Sequence, residues 1–242
     1  MRFLIFVSIF LGTIVHATDP ESLCKAGRAK ASAKYASCLQ AWLSKSYASG
    51  LEDQAKAGKC VTKYAASYDK LRIHAQASPA AETCDAPRFV DNGDATVTDN
   101  LTGLQWEKKT NADNSLVYAD PHDADNVYSW SVSGTAADGA AFTSFLASLN
   151  GANFAGKHDW RLPTLGELLA IALPAFPNCP AFPCIDPTFG PTGTSTWTGS
   201  SYHPNPAGAW VASFANGGAA THAVKVGVVP DERHVRAVRG GL

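Results

Sequence analysis

The chain reads RFVDNGDATVTDNLTGLQW from Arg88 to Trp106. Apolar and polar residues alternate on both sides of Asn92-Gly93, and an Asn-Gly pair is a strong hairpin signal because both residues tolerate positive φ. A second turn, from Asn100 to Gly103, leads into a third short strand that ends at Trp106. The stretch therefore predicts a β-hairpin, a turn and a further strand, and it marks the start of a domain.

The same stretch also has the composition of a calcium loop, with three aspartates and two asparagines in its ten residues 91–100. An EF-hand loop requires oxygen ligands at its third and fifth positions, Gly at the sixth and Glu at the twelfth. Counted from Asp91, those positions hold Gly, Ala, Thr and Thr. A looser calcium site from Asp91, Asp94 and Asp99 is the alternative, and two turns are the preferred interpretation.

The first seventeen residues have the organisation of a signal peptide. An early Arg2 precedes an apolar run, and small residues stand at the expected positions before Thr18. The run is too short to span a bilayer as a helix. We expect cleavage after Ala17 and a secreted or periplasmic protein with no transmembrane segment, in a compartment where disulfides persist.

Charge and composition change near residue 85. Residues 18–84 carry ten Lys and Arg against six Asp and Glu, whereas residues 85–242 carry nine against fifteen. The acidic balance of the second part argues against nucleic acid, which requires clustered Lys and Arg. We expect four segments, which are a signal peptide (1–17), a helical hairpin (18–78), a linker (79–87) and a larger domain (88–242).

The N-terminal segment predicts two amphipathic helices, one from Glu21 to about Tyr47 and one from Glu52 to about Ala75, joined at Ser49-Gly50. One apolar face of the first helix recurs at i, i+3, i+4 and i+7, and its members are Tyr35, Cys38, Leu39 and Trp42. Such a small unit buries little surface, so it needs additional stabilisation.

The six cysteines favour disulfides over metal binding, because their spacings match no zinc signature. Facing positions on the hairpin pair Cys38 with Cys60, and closing that loop contributes about 3 kcal/mol in a chain-entropy treatment. Near the open end of the hairpin, Cys24 would meet Cys84. A local loop would be closed by Cys179 and Cys184.

Two helices are predicted in the larger domain. The first begins at Gly139 and ends at Asn150-Gly151, with Phe142, Phe145, Leu146 and Leu149 at helical spacing. The second runs from Leu165 to about Ala172, because Thr164 and Glu167 form a capping box.

Two further features concern single side chains of this domain. Arg161, which precedes the second helix, is either a ligand-binding residue or a structural residue paired with a carboxylate. Short strands follow, and their predicted core anchors are Trp197, Trp210 and Phe214.

Five motifs in order, RFVDNGDATVTDNLTGLQWEK, DWRLPTLGEL, TWTGSS, AWVASFANGG and VRAVRGG, resemble the Lcl C-terminal domain family. The resemblance covers about Arg88 to Gly241. This family comprises mostly uncharacterised bacterial exported domains and is named for the end of a collagen-like adhesin. It is similar in turn to the C-type-lectin-like fold of formylglycine-generating enzymes, which implies an α+β domain with a twisted antiparallel sheet, two helices and long loops.

Two departures from the family limit what the resemblance implies. Ala95 stands where the motif usually has glycine, so that turn is less permissive here. The collagen-like adhesin is thought to bind sulfated glycosaminoglycans through positive charge. This domain carries six more acidic than basic residues, so we do not transfer that ligand.

Enzymatic activity of the formylglycine-generating type is the least favoured function. Those enzymes handle a metal with a cysteine pair, and here only Cys179 and Cys184 fall in the domain. Histidines are scattered without paired ligand spacing; they are His122, His158, His203, His222 and His234. No catalytic motif is present, so neither metal nor cofactor is expected.

The favoured function is non-catalytic binding of a carbohydrate or of a cell-envelope or extracellular ligand through the loops of a lectin-like domain. Two loops, residues 120–128 and 200–206, mix aromatic, amide, carboxylate and imidazole groups suited to sugars. The candidate ligand-binding residues are Tyr202, His203, Asn205, Tyr128 and Asp123. The alternative is a structural or protein-interaction module of the envelope, in which the hairpin docks a partner.

Overall fold

A computed structural model describes residues 20–49, 60, 63, 67, 70, 87–100, 102–172, 183–215, 219–226 and 232–240. The predicted signal peptide and most of the predicted linker lie outside these residues, and so do Cys84, Cys179 and the side chain of Cys24. Within the described ranges, no helix combines the length and apolarity needed to cross a membrane.

The first predicted helix is α1, which spans Pro20–Ser49. Cys60, Lys63, Ser67 and Lys70 are helical as well. Cys38 and Cys60 form a disulfide with their Cα atoms 5.8 Å apart, so the predicted pairing is confirmed. Cys184 is also disulfide-bonded, and its expected partner Cys179 is outside the described residues.

α1 packs directly on the larger domain. Trp42 is only 4% exposed and belongs to the core cluster that contains Leu165 and Phe214. Nearer the start of α1, Ala31 and Tyr35 pack with Cys60 and with Ala170 of the domain. Two members of the predicted apolar face, Tyr35 and Trp42, are therefore buried, and both pack in clusters that include residues of the domain.

The opening stretch forms the expected strands. Strands β1 (Phe89–Asp91), β2 (Thr96–Asp99) and β3 (Leu104–Glu107) pair antiparallel in that order. The end of the domain adds β7 (Val238–Gly240), which pairs antiparallel with β3 and completes a four-stranded sheet. The two ends of the domain thus meet in one sheet.

A second antiparallel sheet contains β4 (Ser195–Ser201), β5 (Gly208–Ser213) and β6 (Ala219–Val224). Trp197, Trp210 and Phe214 are buried, which confirms them as core anchors. The fold is α+β, with two antiparallel sheets and few helices among the described residues.

The helix predicted from Gly139 differs in its first turns. Residues Ala141–Leu146 form a π-helix that continues as the α-helix α2, Ala147–Gly151. The first residue of the π-helix is held in place because the Ala141 N–H donates to the Ser129 carbonyl. The chain packs closely just before it, since a side chain at Gly139 would collide with the 129–131 backbone. The wider turn lets Ala141, Phe145 and Leu146 all reach the core.

The second predicted helix is α3, Leu165–Ile171, and its capping box is present. The Glu167 N–H donates to the Thr164 hydroxyl, and the Thr164 N–H donates to the Glu167 carboxylate. Arg161 donates two hydrogen bonds of 2.7 and 2.8 Å to the same carboxylate. Of the two interpretations of Arg161, the structural pairing is the one observed.

Ala95 adopts a left-handed conformation with φ of 63°, in the turn between β1 and β2. This conformation costs an L-residue about 1–2 kcal/mol, and glycine loses about 0.5–1 kcal/mol more chain entropy on folding than alanine. We expect Ala95→Gly to raise the free energy of unfolding by about 0.5–1 kcal/mol in urea denaturation.

The matched control is Ala147→Gly, at an exposed helical position in α2. It should lower the free energy of unfolding by about 0.5–1 kcal/mol, since glycine is unfavourable inside a helix. A loss of stability on Ala95→Gly similar to that of the control would show that the turn does not hold Ala95 in the left-handed region.

Candidate functional site

A half-open cleft of about 420 Å³ lies between the loop before Tyr128, the π-helix and Glu232. An isolated β-bridge joins these parts, because Tyr128 and Arg233 exchange backbone hydrogen bonds of 2.9 and 3.2 Å. The residues that line the cleft are Tyr118, Val127, Tyr128, Ala140, Ser144, Phe145, Ser148 and Glu232.

Aromatic rings form the wall and floor of the cleft. Tyr118 is 52% exposed, and its hydroxyl donates to the Val127 carbonyl at 3.1 Å. Its ring meets the Tyr128 ring edge to face, with centroids 5.5 Å apart. Tyr128 in turn packs on Phe145 at 5.4 Å, so the exposed ring of Tyr118 is supported by two buried rings.

Both tyrosine hydroxyls of the cleft keep their protons at neutral pH. Burial raises the pKa of Tyr128, and nearby Glu107 adds to that effect. The pKa of Tyr118 is raised by burial and by Glu232.

Polar groups lie at the rim of the cleft. The wide π-helical turn places Ser144 beside the buried Phe145, and Ser148 follows on the same helix. Non-standard turns of this kind occur often at functional sites. Among the described residues of the lining, Glu232 is the one that carries a carboxylate, and its pKa is raised by burial. The cleft thus combines an aromatic platform, two hydroxyls and a partly desolvated carboxylate.

Beneath the cleft floor, a buried ionic cluster holds the loop in place. Glu107 is fully buried and accepts a hydrogen bond from Lys109 Nζ, and His122 Nδ1 lies 2.9 Å from the same carboxylate oxygen. Lys109 also lies 4.6 Å from the Phe145 ring centroid and donates to the Pro121 carbonyl. Charge and packing therefore connect β3 to the loop that carries Tyr118.

Arg236 extends this cluster. It is fully buried, and its guanidinium donates to the carbonyls of Glu107, Phe189 and Pro191 and to the Thr192 hydroxyl. The desolvation of burial lowers the pKa of Arg236 to about 10, against the opposing effect of Glu107, so this side chain remains charged and structural.

Three predicted binding residues lie in the turn between β4 and β5. The Tyr202 ring stacks on His222 with centroids 4.1 Å apart and meets Trp210 edge to face. Asn205 accepts a hydrogen bond from the Ala207 N–H, and His203 is exposed. The Tyr202 ring thus packs on side chains of the second sheet. This turn does not contribute to the cleft lining.

The other two predicted residues lie in the long loop. Asp123 is 2% exposed, and its carboxylate accepts from the Asp125 N–H and from the Asn111 amide. Tyr128 lines the cleft. The structure therefore brings only Tyr128 of the predicted set into this site.

The sequence interpretation missed Tyr118, Ser144, Ser148 and Glu232. One signal was present, since Leu116-Val117-Tyr118 is an apolar run inside a polar loop. No sequence spacing connects Tyr118 with Glu232, because the two residues are more than a hundred positions apart in the chain.

The three carboxylates of the opening stretch have separate partners. Asp91 forms an ion pair with Lys108, Asp94 accepts from the Thr96 N–H, and Asp99 receives two hydrogen bonds from Arg88. Across the described part of the chain, no three His, Cys, Asp or Glu side chains are grouped to hold a metal ion. The stretch has the hydrogen bonds of a hairpin and its turns.

Comparison with known proteins identifies the family. No curated protein and no solved structure matches the chain. The model of the Lcl C-terminal domain matches residues 95–239, which include every residue that lines the cleft, whereas α1 lies outside the match. Because that match covers more than half of the sequence, the chain belongs to the Lcl C-terminal domain family.

Proposed function

We propose that this is an exported, non-catalytic binding protein, which recognises a carbohydrate of the cell envelope or its surroundings through the cleft at Tyr118. In this proposal the two sheets and long loops are a lectin-like frame. The observation that carries it is the concave, aromatic-lined cleft with a polar rim. Its volume of about 420 Å³ falls in the range of small-molecule sites.

The chemistry of the cleft suits a sugar ring. The C–H face of a pyranose packs on an aromatic ring, and Tyr118 presents such a ring, held by its hydrogen bond to Val127. Sugar hydroxyls require donors and acceptors at fixed positions. Ser144 has a hydroxyl that can donate and accept, whereas Ser148, which donates its proton to the Phe145 carbonyl, and Glu232 supply acceptors at the rim. The platform provides contact area and the rim provides orientation.

The composition of the lining favours binding over catalysis. Glycoside hydrolysis uses two carboxylates that flank the scissile bond, and the described lining holds one, Glu232. A serine nucleophile requires an adjacent base, and the described lining contains no histidine or lysine. The arrangement is suited to holding a ligand without breaking its bonds.

A glycan array tests the proposal. The folded protein should bind a subset of glycans, and Tyr118→Ala should weaken that binding about tenfold, since a good aromatic contact is worth about 1–1.5 kcal/mol. Val132→Ala is the control, because it removes another exposed apolar side chain. Absence of binding by protein shown by calorimetry to be folded would contradict carbohydrate recognition.

One observation favours the alternative of a protein-interaction module. Beside the cleft, Leu116, Val117 and Tyr118 are all large, apolar or aromatic and exposed, and neighbouring exposed apolar residues are typical of interaction surfaces. Leu116→Ser distinguishes the two functions. If the protein binds glycans, Leu116→Ser should leave that binding unchanged. If Leu116→Ser instead abolishes binding to an envelope protein, that result would support the alternative.

A further inference from the structure

Glu232 is the charged residue among the described residues that line the cleft. The Arg233 guanidinium donates to its backbone carbonyl at 2.8 Å. Its carboxylate has no hydrogen-bond or ion-pair partner among the residues the structure describes, and burial raises its pKa. Desolvating a carboxylate without a partner is unfavourable, so a ligand group that neutralises it gains from the interaction.

We propose that the cleft takes a sugar that carries a protonated amino group, with the ammonium on Glu232 and the ring on Tyr118. This inference rests on the proposed function and names its ligand class. An ammonium group supplies three N–H donors and a positive charge, which together satisfy the carboxylate. Aromatic faces such as those of Tyr118 and Tyr128 add a favourable interaction with a cation.

The charges around the cleft are compatible with a cationic ligand. The nearest buried lysine, Lys109, lies against Phe145 and is neutralised by its ion pair with Glu107. Arg233 is held by the Glu232 carbonyl, and its guanidinium lies 6.0 Å from the Trp197 ring centroid. The excess of acidic residues in the domain also favours approach of a cation over an anion.

A sugar is favoured over a peptide amine as the source of the ammonium. The lining contains two serines at the rim, Ser144 and Ser148. Their oxygens can form hydrogen bonds with the ring hydroxyls that an amino sugar carries close to its amine. A lysine side chain presents its ammonium at the end of an apolar stem and offers no such hydroxyls.

The experiment is calorimetric titration with two probes, the β-1,4-linked trimer of glucosamine and its fully N-acetylated counterpart. The protein should bind the amine trimer at least tenfold more tightly. Glu232→Gln should abolish this preference while binding of the acetylated trimer is retained. Tyr118→Ala should weaken the binding of both trimers. Asp91→Asn, which removes one exposed carboxylate elsewhere, should change neither affinity.

The pH profile gives a second readout. Because the pKa of Glu232 is raised, affinity for the amine trimer should increase as the pH rises through that pKa and decrease once the sugar amine loses its proton. The acetylated trimer should show neither change. In Glu232→Gln the rise at low pH should disappear.

Several outcomes would overturn the inference. Equal affinity for both trimers would show that the ammonium group does not contribute to binding. Carbohydrate recognition as the proposed function would still stand. Binding of neither trimer would also overturn it, and the glycan array then decides the proposed function separately. Competition by lysine amide as strong as that of the trimer would assign the ammonium to a peptide instead of a sugar.

Discussion

Replacing Glu107 with glutamine should lower the free energy of unfolding by about 3–5 kcal/mol, because it leaves a buried cation without its counterion. Glu107 and Lys109 are almost entirely buried, and they form an ion pair of 2.9 Å. The carboxylate also accepts the Ala237 N–H, at 2.9 Å, which connects β3 to the segment before β7. One side chain therefore satisfies groups from distant parts of the chain.

Urea denaturation measures this loss, and Glu167→Gln is the matched control. The control removes the same charge from the Arg161–Glu167 pair, whose side chains are partly exposed. Because exposed pairs contribute about 0–1 kcal/mol, the control loss should be small, although the capping hydrogen bond of Glu167 adds to it. Equal losses in both variants would show that the buried pair contributes no more than a surface pair.

The same ion pair predicts the direction of acid sensitivity. Burial alone would raise the pKa of Glu107, but Lys109 and His122 outweigh it and hold that pKa below the ordinary value. A carboxyl with a lowered folded-state pKa stabilises the protein above its unfolded-state pKa, and this contribution is lost as the pH falls through the folded-state pKa. Wild-type protein should therefore lose stability in acid more steeply than Glu107→Gln.

Gly190→Ala should be the other severe substitution, with an expected loss above about 4 kcal/mol or failure to fold. Gly190 has φ of 75° and ψ of −170°, a conformation open essentially only to glycine. A Cβ at this position would also overlap the backbone carbonyl of Lys109. The collision is with main chain, so no rotamer change relieves it.

Gly93→Ala is the control for a glycine with positive φ and no collision. Gly93 has nearly the same φ, 76°, and nothing lies within 4 Å of a Cβ built on it. Its substitution should therefore cost only the left-handed conformation, about 1–2 kcal/mol. Thermal unfolding of both variants measures the difference, and similar Tm values would show that the backbone near Lys109 moves aside freely.

The parts of the fold that follow from neighbouring residues could be predicted from the sequence. Asn92-Gly93 marks the place of the β1–β2 turn, although the turn is longer than two residues and its positive φ angles fall on Gly93 and Ala95. The capping box sets the start of α3. The Cys38–Cys60 disulfide follows from the geometry of a hairpin. Each of these depends on interactions whose partners are close in the chain or related by one turn.

The parts that were not predicted depend on distant pairing. Besides β2, strand β3 pairs with β7, more than a hundred residues later, and no local pattern specifies that choice. The cleft combines Tyr118, the π-helix and Glu232, which only tertiary packing brings together. The π-helix begins just after Gly139, which packs closely against the 129–131 backbone, whereas helical periodicity predicts a regular α-helix.

The position of Trp42 shows how far the core of this chain extends. The family match begins at residue 95 and leaves α1 outside, yet Trp42 of α1 packs in the same core as residues of α3 and β5. The matched segment therefore does not contain the whole core of this chain. Without α1, the apolar surface of α3 and β5 that Trp42 covers would be open to solvent.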